Sequence, residues 1–231
     1  MPAFIRNVTL SPHPHQPGAL CCEVHFNPAA WQDTLFSQLG ILRPAHLARA
    51  VPKRLAEYLA GRYACQQILR HWGITADITS GSNREPLWPP AVAGSLSHSA
   101  ERALALLIPA RYGLSPGVDI EMADARTLLS IASAIATPEE QAQFSTCGLT
   151  DYHGLLLTFS AKESLFKALY PQVGRYFGCD AAALYALDMA QQQFVLQLRE
   201  TLAPAAVRGT LYRGNFSLTN GGVMTSLFCA G

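Results

Sequence analysis

The sequence predicts a chain of mixed α and β structure, and three observations carry that expectation. Apolar residues recur at helical spacing from about Pro52, and again over residues 152–170. Leu20–Phe26 and Arg102–Pro109 have the length and composition of strands, and the chain from Leu184 onward reads as β. The order is helix, loop, strand in the first half and strand, helix, strands in the second, a hint of two similar halves.

Near the start, Leu20–Phe26 alternates weakly, as a half-buried strand does, while residues 13–18 (His-Pro-His-Gln-Pro-Gly) read as a loop. In the first helix Leu55, Tyr58, Leu59, Tyr63, Gln66 and Leu69 follow the 3.6-residue period. Pro52 suits its first turn, and Gly73 suits a left-handed cap at its end. Arg54 and Arg62 lie about two turns apart and so fall on roughly one side of it. A loop over residues 80–90 follows, and then Gly94-Ser95-Leu96-Ser97-His98-Ser99. Residues 114–117 (Leu-Ser-Pro-Gly) are expected to turn. The next run, Val118-Asp119-Ile120-Glu121, alternates apolar with acidic, so a strand there puts both acids on one face. Thr137, Pro138 and Glu140 make a helix start, with Thr137 as cap, Pro138 in the first helical position and Glu140 closing a capping box. The last strands are expected at Gln193–Leu198, 207–212 and 223–228.

Composition narrows the function classes. Hydrophobic residues are 49% and charged residues 14% of the 231, which excludes long disordered tails and a solvated coiled coil. Seventeen basic against sixteen acidic residues leave a net charge of +1, too little for bulk nucleic-acid binding, so an anionic ligand must meet a local basic cluster. None of the six cysteines forms a Cys-x-x-Cys pair or a zinc-finger spacing, as expected for free thiols in a cytoplasmic protein. The first residues lack a signal-peptide layout and no apolar run is long enough to span a bilayer, so no transmembrane segment is expected.

There is no Walker phosphate loop, no His-Glu-x-x-His and no Gly-x-Ser-x-Gly elbow. What remains is a set of charges in apolar surroundings. Asp119 and Glu121 on one strand face, with Glu163 from a helix, would make a hard, oxygen-rich site suited to Mg²⁺ and substrate phosphates. The plainer alternative is that the first two face solvent while Glu163 and Lys167 form an ordinary i,i+4 pair. Arg54, Arg62, Arg84, His98 and Lys162 are candidates to line an anionic cleft. Composition and spacing end at Mg²⁺-assisted phosphate chemistry.

Gly117-Val118-Asp119-Ile120-Glu121 resembles the G-[IV]-D-[IV]-E motif of 4′-phosphopantetheinyl transferases, residues 159–167 resemble their W/F-x-x-K-E-[AS]-x-x-K motif, and Ser97-His98-Ser99 matches their S-H-S element. Leu59-Ala60-Gly61-Arg62, residues 84–89 and residues 94–98 are similar to the branch named for enterobactin synthase component D, which primes siderophore-making carrier proteins. Phe159 stands where many members have Trp. These motifs span residues 54–167.

The resemblance implies an α+β fold, the 4′-phosphopantetheinyl transferase fold. In it two similar halves form a pseudo-dimer with the active site in the cleft between them, here residues 1–115 on the coenzyme A side and 116–231 with the metal and catalytic motifs. It implies transfer of the 4′-phosphopantetheine arm of coenzyme A to a serine of an acyl or peptidyl carrier protein, releasing 3′,5′-ADP, by a cytoplasmic monomer. Mg²⁺ would be held by Asp119, Glu121 and Glu163. Glu163 would act as base, with Lys162 and Lys167 aligning phosphates, and Arg54, Arg62, Arg84, Ser97, His98 and Lys162 would hold coenzyme A. Arg126, Leu128 and Leu129 are candidates for carrier docking. Two other readings of the same residues are a Mg²⁺-dependent nucleotide or pyrophosphate hydrolase and a non-catalytic module binding coenzyme A or carrier proteins.

Overall fold

An antiparallel sheet and one long helix make up the first of the two units into which the chain divides, Met1–Tyr112 and Gly113–Gly231. The computed structural model describes residues 4–219 and 222–231. The first unit runs β1 (Ile5–Pro12), β2 (Leu20–Phe26), α1 (Leu35–Leu39), α2 (Pro52–His71), β3 (Thr79–Ser80), β4 (Pro86–Leu87), β5 (Val92–Ser99) and β6 (Arg102–Pro109). Its sheet has the order β1-β2-β6-β5 with every neighbour antiparallel, while β3 and β4 pair by themselves, with all but Thr79 inside the expected loop.

Pro52 takes the first turn of α2, where its missing N–H costs nothing, and Gly73 follows the end of the helix at φ +69°. The buried side of α2, including Leu55, Leu59, Ile68 and Leu69, packs with Val24, Phe26, Ala105 and Leu107 in one apolar cluster. Each such Leu, Ile or Phe contributes about 1.5–3 kcal/mol when removed from water. Residues 103–108 of β6 are all buried, so the strand reads as a continuous apolar run instead of alternating. By contrast β1 is an edge strand whose residues are mostly exposed, and it leaves no pattern in the sequence.

The second unit runs β7 (Leu114–Glu121), α3 (Ala125–Ser130), α4 (Ala132–Ile135), α5 (Pro138–Thr146), α6 (Asp151–Val173), β8 (Ala182–Asp188), β9 (Gln193–Leu198), β10 (Leu211–Thr219) and β11 (Gly222–Ala230). The strands form one antiparallel sheet in the order β7-β11-β10-β9-β8, with α6 laid against β7 and β11. Phe144, Leu157, Leu165, Phe194 and Leu196 are among the buried residues of its core. Each unit therefore packs one long helix on an antiparallel sheet, an α+β organisation of two similar halves.

Two local expectations are corrected. Residues 114–117 do not turn: they are the first half of β7, so residues 115 and 116 lie inside a strand and the units divide between Tyr112 and Gly113. Pro116 is compatible with this because β7 is an edge strand, where one row of N–H groups has no ladder to join. The strand expected at 207–212 begins at Leu211, because Thr210 N–H turns back to the Val207 carbonyl and Gly209 stands at φ +89°.

The Thr137 capping box is present: the Glu140 N–H donates to Thr137 Oγ1, and the Thr137 N–H donates to Glu140 Oε2 at 2.8 Å. All six cysteines are free. Among the described residues, no helix is long and apolar enough to cross a membrane.

Candidate active site

In the second unit β7 and α6 bring together the acids that sequence spacing singled out. Gly117 allows it: a Cβ there would fall on the Ser164 carbonyl oxygen, so only glycine lets the strand lie this close to the helix. Two residues on, Asp119 is buried at 4% exposure with its carboxylate facing α6. It accepts from Ser160 Oγ at 2.8 Å and from Lys167 Nζ at 2.7 Å, and Lys167 also donates to the Val118 carbonyl at 3.1 Å. Ser160, Glu163, Ser164 and Lys167 follow i, i+3, i+4, i+7 and form one polar stripe on α6. Thr225, opposite Asp119 on β11, locks the stripe from the far side through Ser160 and Ser164.

Glu121 lies one step further along the same strand face, with Oε1 accepting from the Met122 N–H at 3.0 Å. Burial pushes its carboxyl above the usual carboxylate range, and the charges of Asp119 and Glu163 push it further, against the pull of Lys167. Burial likewise raises Glu163, Asp119 adds to the rise, and Lys167 opposes it. The three acids thus share one electrostatic neighbourhood with Lys167. Among the described residues no three His, Cys, Asp or Glu side chains are gathered as a ready metal cluster. The donor set still fits Mg²⁺: it is all oxygen and mutually repelling, and this ion keeps waters and substrate oxygens in its shell instead of needing a closed protein cage.

Lys162 is placed differently from the expectation that it lines a phosphate site. It leaves α6 on the side away from that stripe, is 5% exposed, and binds Glu140 Oε1 at 2.8 Å and the Ile135 carbonyl at 2.7 Å. The other demand on Glu140 Oε1 is the Leu184 N–H at 2.6 Å. The physical reason is burial: an ammonium this far from water must keep a carboxylate partner.

In the first unit, Arg54 on α2 meets His98 on β5, Nη1 to Nε2 at 2.8 Å. Arg62 meets a different neighbour. It is 6% exposed, lies over the Tyr58 ring at 4.6 Å, and donates to the Thr79 carbonyl and Ser80 Oγ at 3.2 and 3.3 Å. Among the described residues its Nε has no hydrogen-bond partner, nor has the buried Oε1 of Gln66, and both residues line a pocket of about 360 Å³ with Arg43, His46 and Tyr58. Arg84 is exposed at φ +69° in the turn between β3 and β4, where its N–H reaches the Gly81 carbonyl. Ser97 is buried on β5. Of the docking candidates, Leu128 is buried in the second core, while Arg126 and Leu129 are exposed.

Residues 43–108 match the 4′-phosphopantetheinyl transferase N-terminal domain, and residues 115–219 match the 4′-phosphopantetheinyl transferase superfamily. Enterobactin synthase component D of Escherichia coli O157:H7 is 40% identical over 148 residues, 63% of this chain and 68% of its own. The 4′-phosphopantetheinyl transferase Svp of Streptomyces mobaraensis is 32% identical over 211 residues, 87% and 84% of the two chains. The chain belongs to the 4′-phosphopantetheinyl transferase superfamily. The 4′-phosphopantetheinyl transferase PptT of Mycobacterium tuberculosis is similar over 186 residues, at 29% identity and 78% and 82% coverage. As a phosphopantetheinyl transferase the chain moves the phosphopantetheine arm of coenzyme A to carrier proteins.

Sequence reasoning missed several residues of this transferase. Ser160 was findable, being seven before Lys167 on the same helical stripe. Thr225 left no signal, because its place opposite Asp119 comes from the register of β11 on β7. Gln66 gives no signal in the sequence beyond its helical spacing.

Proposed function

We propose that this transferase primes carrier proteins of siderophore or other secondary-metabolite synthetases, as a cytoplasmic monomer using Mg²⁺ held by Asp119, Glu121 and Glu163. The names of the enterobactin-linked relatives support the pathway. The observation that carries the metal reading is the mutual repulsion of Asp119, Glu121 and Glu163 in a partly buried place with one lysine among them. Bound there, Mg²⁺ would supply Lewis-acid neutralisation of a diphosphate.

The chain's own groups divide the remaining work. Lys167, pinned by Asp119 and the Val118 carbonyl, presents an ammonium to the diphosphate and fixes its orientation. Glu163, its carboxyl held above the ordinary range by burial, is suited to take the proton of the attacking serine hydroxyl, whose oxygen forms the new bond to the phosphorus bearing pantetheine. The bond from that phosphorus to the bridging oxygen breaks, and 3′,5′-ADP leaves with the electron pair. Arg54 and His98 take the 3′-phosphate. The unpartnered Nε of Arg62 supports a role for its pocket in holding the nucleotide end, with Arg84 and Ser97 contributing. Lys162, committed to Glu140, is assigned to holding α6 in place instead of touching phosphate.

The test combines the chain with coenzyme A, Mg²⁺ and an apo carrier protein, and follows the carrier's mass. One phosphopantetheine arm should be added only when all are present. Asp119→Asn and Glu163→Gln should each slow transfer by about 10²-fold or more while keeping the wild-type circular dichroism. Undiminished transfer by both variants would sink the site assignment, and phosphate release from coenzyme A without a carrier would favour hydrolysis.

A further inference from the structure

Arg54 and His98 are both able to carry positive charge, yet Nη1 of one lies 2.8 Å from Nε2 of the other. A guanidinium only donates, so this contact needs a lone pair on Nε2 and leaves the ring proton on Nδ1. Nδ1 is the atom that faces Glu57, whose Oε2 lies 3.8 Å from it and 3.6 Å from Arg54 Nη1. These are close charge contacts, too long to be hydrogen bonds. The Glu57 side chain is 14% exposed, against 43% for Arg54 and 29% for His98, so the carboxylate lies beneath two groups that reach the surface. One acid from α2 therefore ties a cation on its own helix, one turn back, to an imidazole on β5.

We propose that Glu57 is the positioning residue of the phosphate site made by Arg54 and His98; the inference rests on the coenzyme A reading above. Glu57 touches no substrate in this account. It restrains the Arg54 side chain, whose rotamer freedom would otherwise be lost on binding. It also orients His98 with Nδ1–H inward and Nε2 toward the ligand. When a phosphate oxygen comes between Nη1 and Nε2, the Arg54 contact to Nε2 is released, and Nε2 takes a proton from solvent and donates to that oxygen, so the ring becomes cationic. Glu57 then balances the imidazolium from behind, and the phosphate meets two cations whose mutual repulsion is offset. A phosphate monoester fits this pair better than the diphosphate, which is assigned to Lys167 and the acids of the second unit. On coenzyme A the monoester is the 3′-phosphate.

Steady-state transfer to a saturating apo carrier, with Mg²⁺, tests this using coenzyme A and dephospho-coenzyme A, which lacks that phosphate. Glu57→Gln should raise KM for coenzyme A about tenfold, the effect of losing one charge-balancing contact, with kcat within about twofold of wild type. The KM for dephospho-coenzyme A should be the same in wild type and variant. Glu57→Asp keeps the charge but sets it one methylene further back, so its KM should rise by a smaller factor, about two- to threefold, and for coenzyme A only; should Glu57→Gln fail to fold, that smaller selective rise carries the test. An unchanged KM for coenzyme A, or an equal rise for both substrates, would overturn the proposal. A wild-type chain that uses neither substrate would refute the functional reading itself.

Discussion

Lys162 and Lys167 sit five residues apart on one helix and have opposite fates, and burial decides which. Lys167 is partly exposed beside Asp119, whereas Lys162 is closed in with Glu140 at 4% and 2% side-chain exposure. Their motif made them look alike in the sequence, and a phosphate-facing role for both followed from the resemblance. Half of Glu140 was legible: its capping-box bond is a local, three-residue affair. Its other oxygen, shared by Leu184 N–H and Lys162, depends on contacts more than twenty residues away, which spacing alone does not encode. Removing the carboxylate leaves a buried ammonium with only a carbonyl for company. Glu140→Ala should therefore cost about 3–5 kcal/mol of stability in chemical denaturation. The double variant Glu140→Leu/Lys162→Met should cost less than the sum of the singles. Additive losses under about 1 kcal/mol would show that the pair is not structural.

At the scale of elements, the site is a matter of how closely β7 can approach α6. The alternation of residues 118–121 correctly set Asp119 and Glu121 on one face, since a period of two is a local property of the backbone. The Pro-Gly that precedes it looked like a turn for an equally local reason, and tertiary packing overrode it. Pro116 fits an edge strand, and Gly117 is required by the helix backbone lying over it, not by a bend. Both long helices were legible because each buries a full apolar side, while β1, an exposed edge, had nothing to declare itself by. Gly117→Ala tests the packing account. The added methyl meets a main-chain oxygen that has no rotamer to escape into, so the strand and helix must part. Stability should fall by about 1–3 kcal/mol. Transfer should fall with it even at temperatures where the variant is folded, because the Lys167 contacts to Asp119 and Val118 depend on that spacing. A variant with wild-type melting and wild-type rate would mean that the approach is not needed.

The whole molecule carries almost no net charge, +1, so its affinity for a multiply anionic substrate has to come from a few placed groups. Those groups are split between the units: Arg54, Arg62 and His98 belong to the first, and Asp119, Glu121, Glu163 and Lys167 to the second. In the proposed reading Mg²⁺ acts through the bound diphosphate, so ligand and metal must stabilise the fold together. A ligand at one hundred times its dissociation constant adds about 2.7 kcal/mol to the state that binds it. For a chain of this length that raises Tm by roughly 5–10 °C. Thermal unfolding in EDTA, with Mg²⁺ alone, with coenzyme A alone and with both should give a shift for the pair larger than the sum of the separate shifts. Asp119→Asn should keep the coenzyme A shift and lose the extra increment, because the cations of the first unit are untouched. Equal shifts with and without Mg²⁺ in the wild type would remove the metal from the three acids, and loss of the coenzyme A shift in Asp119→Asn would mean that binding of the nucleotide end also depends on that carboxylate.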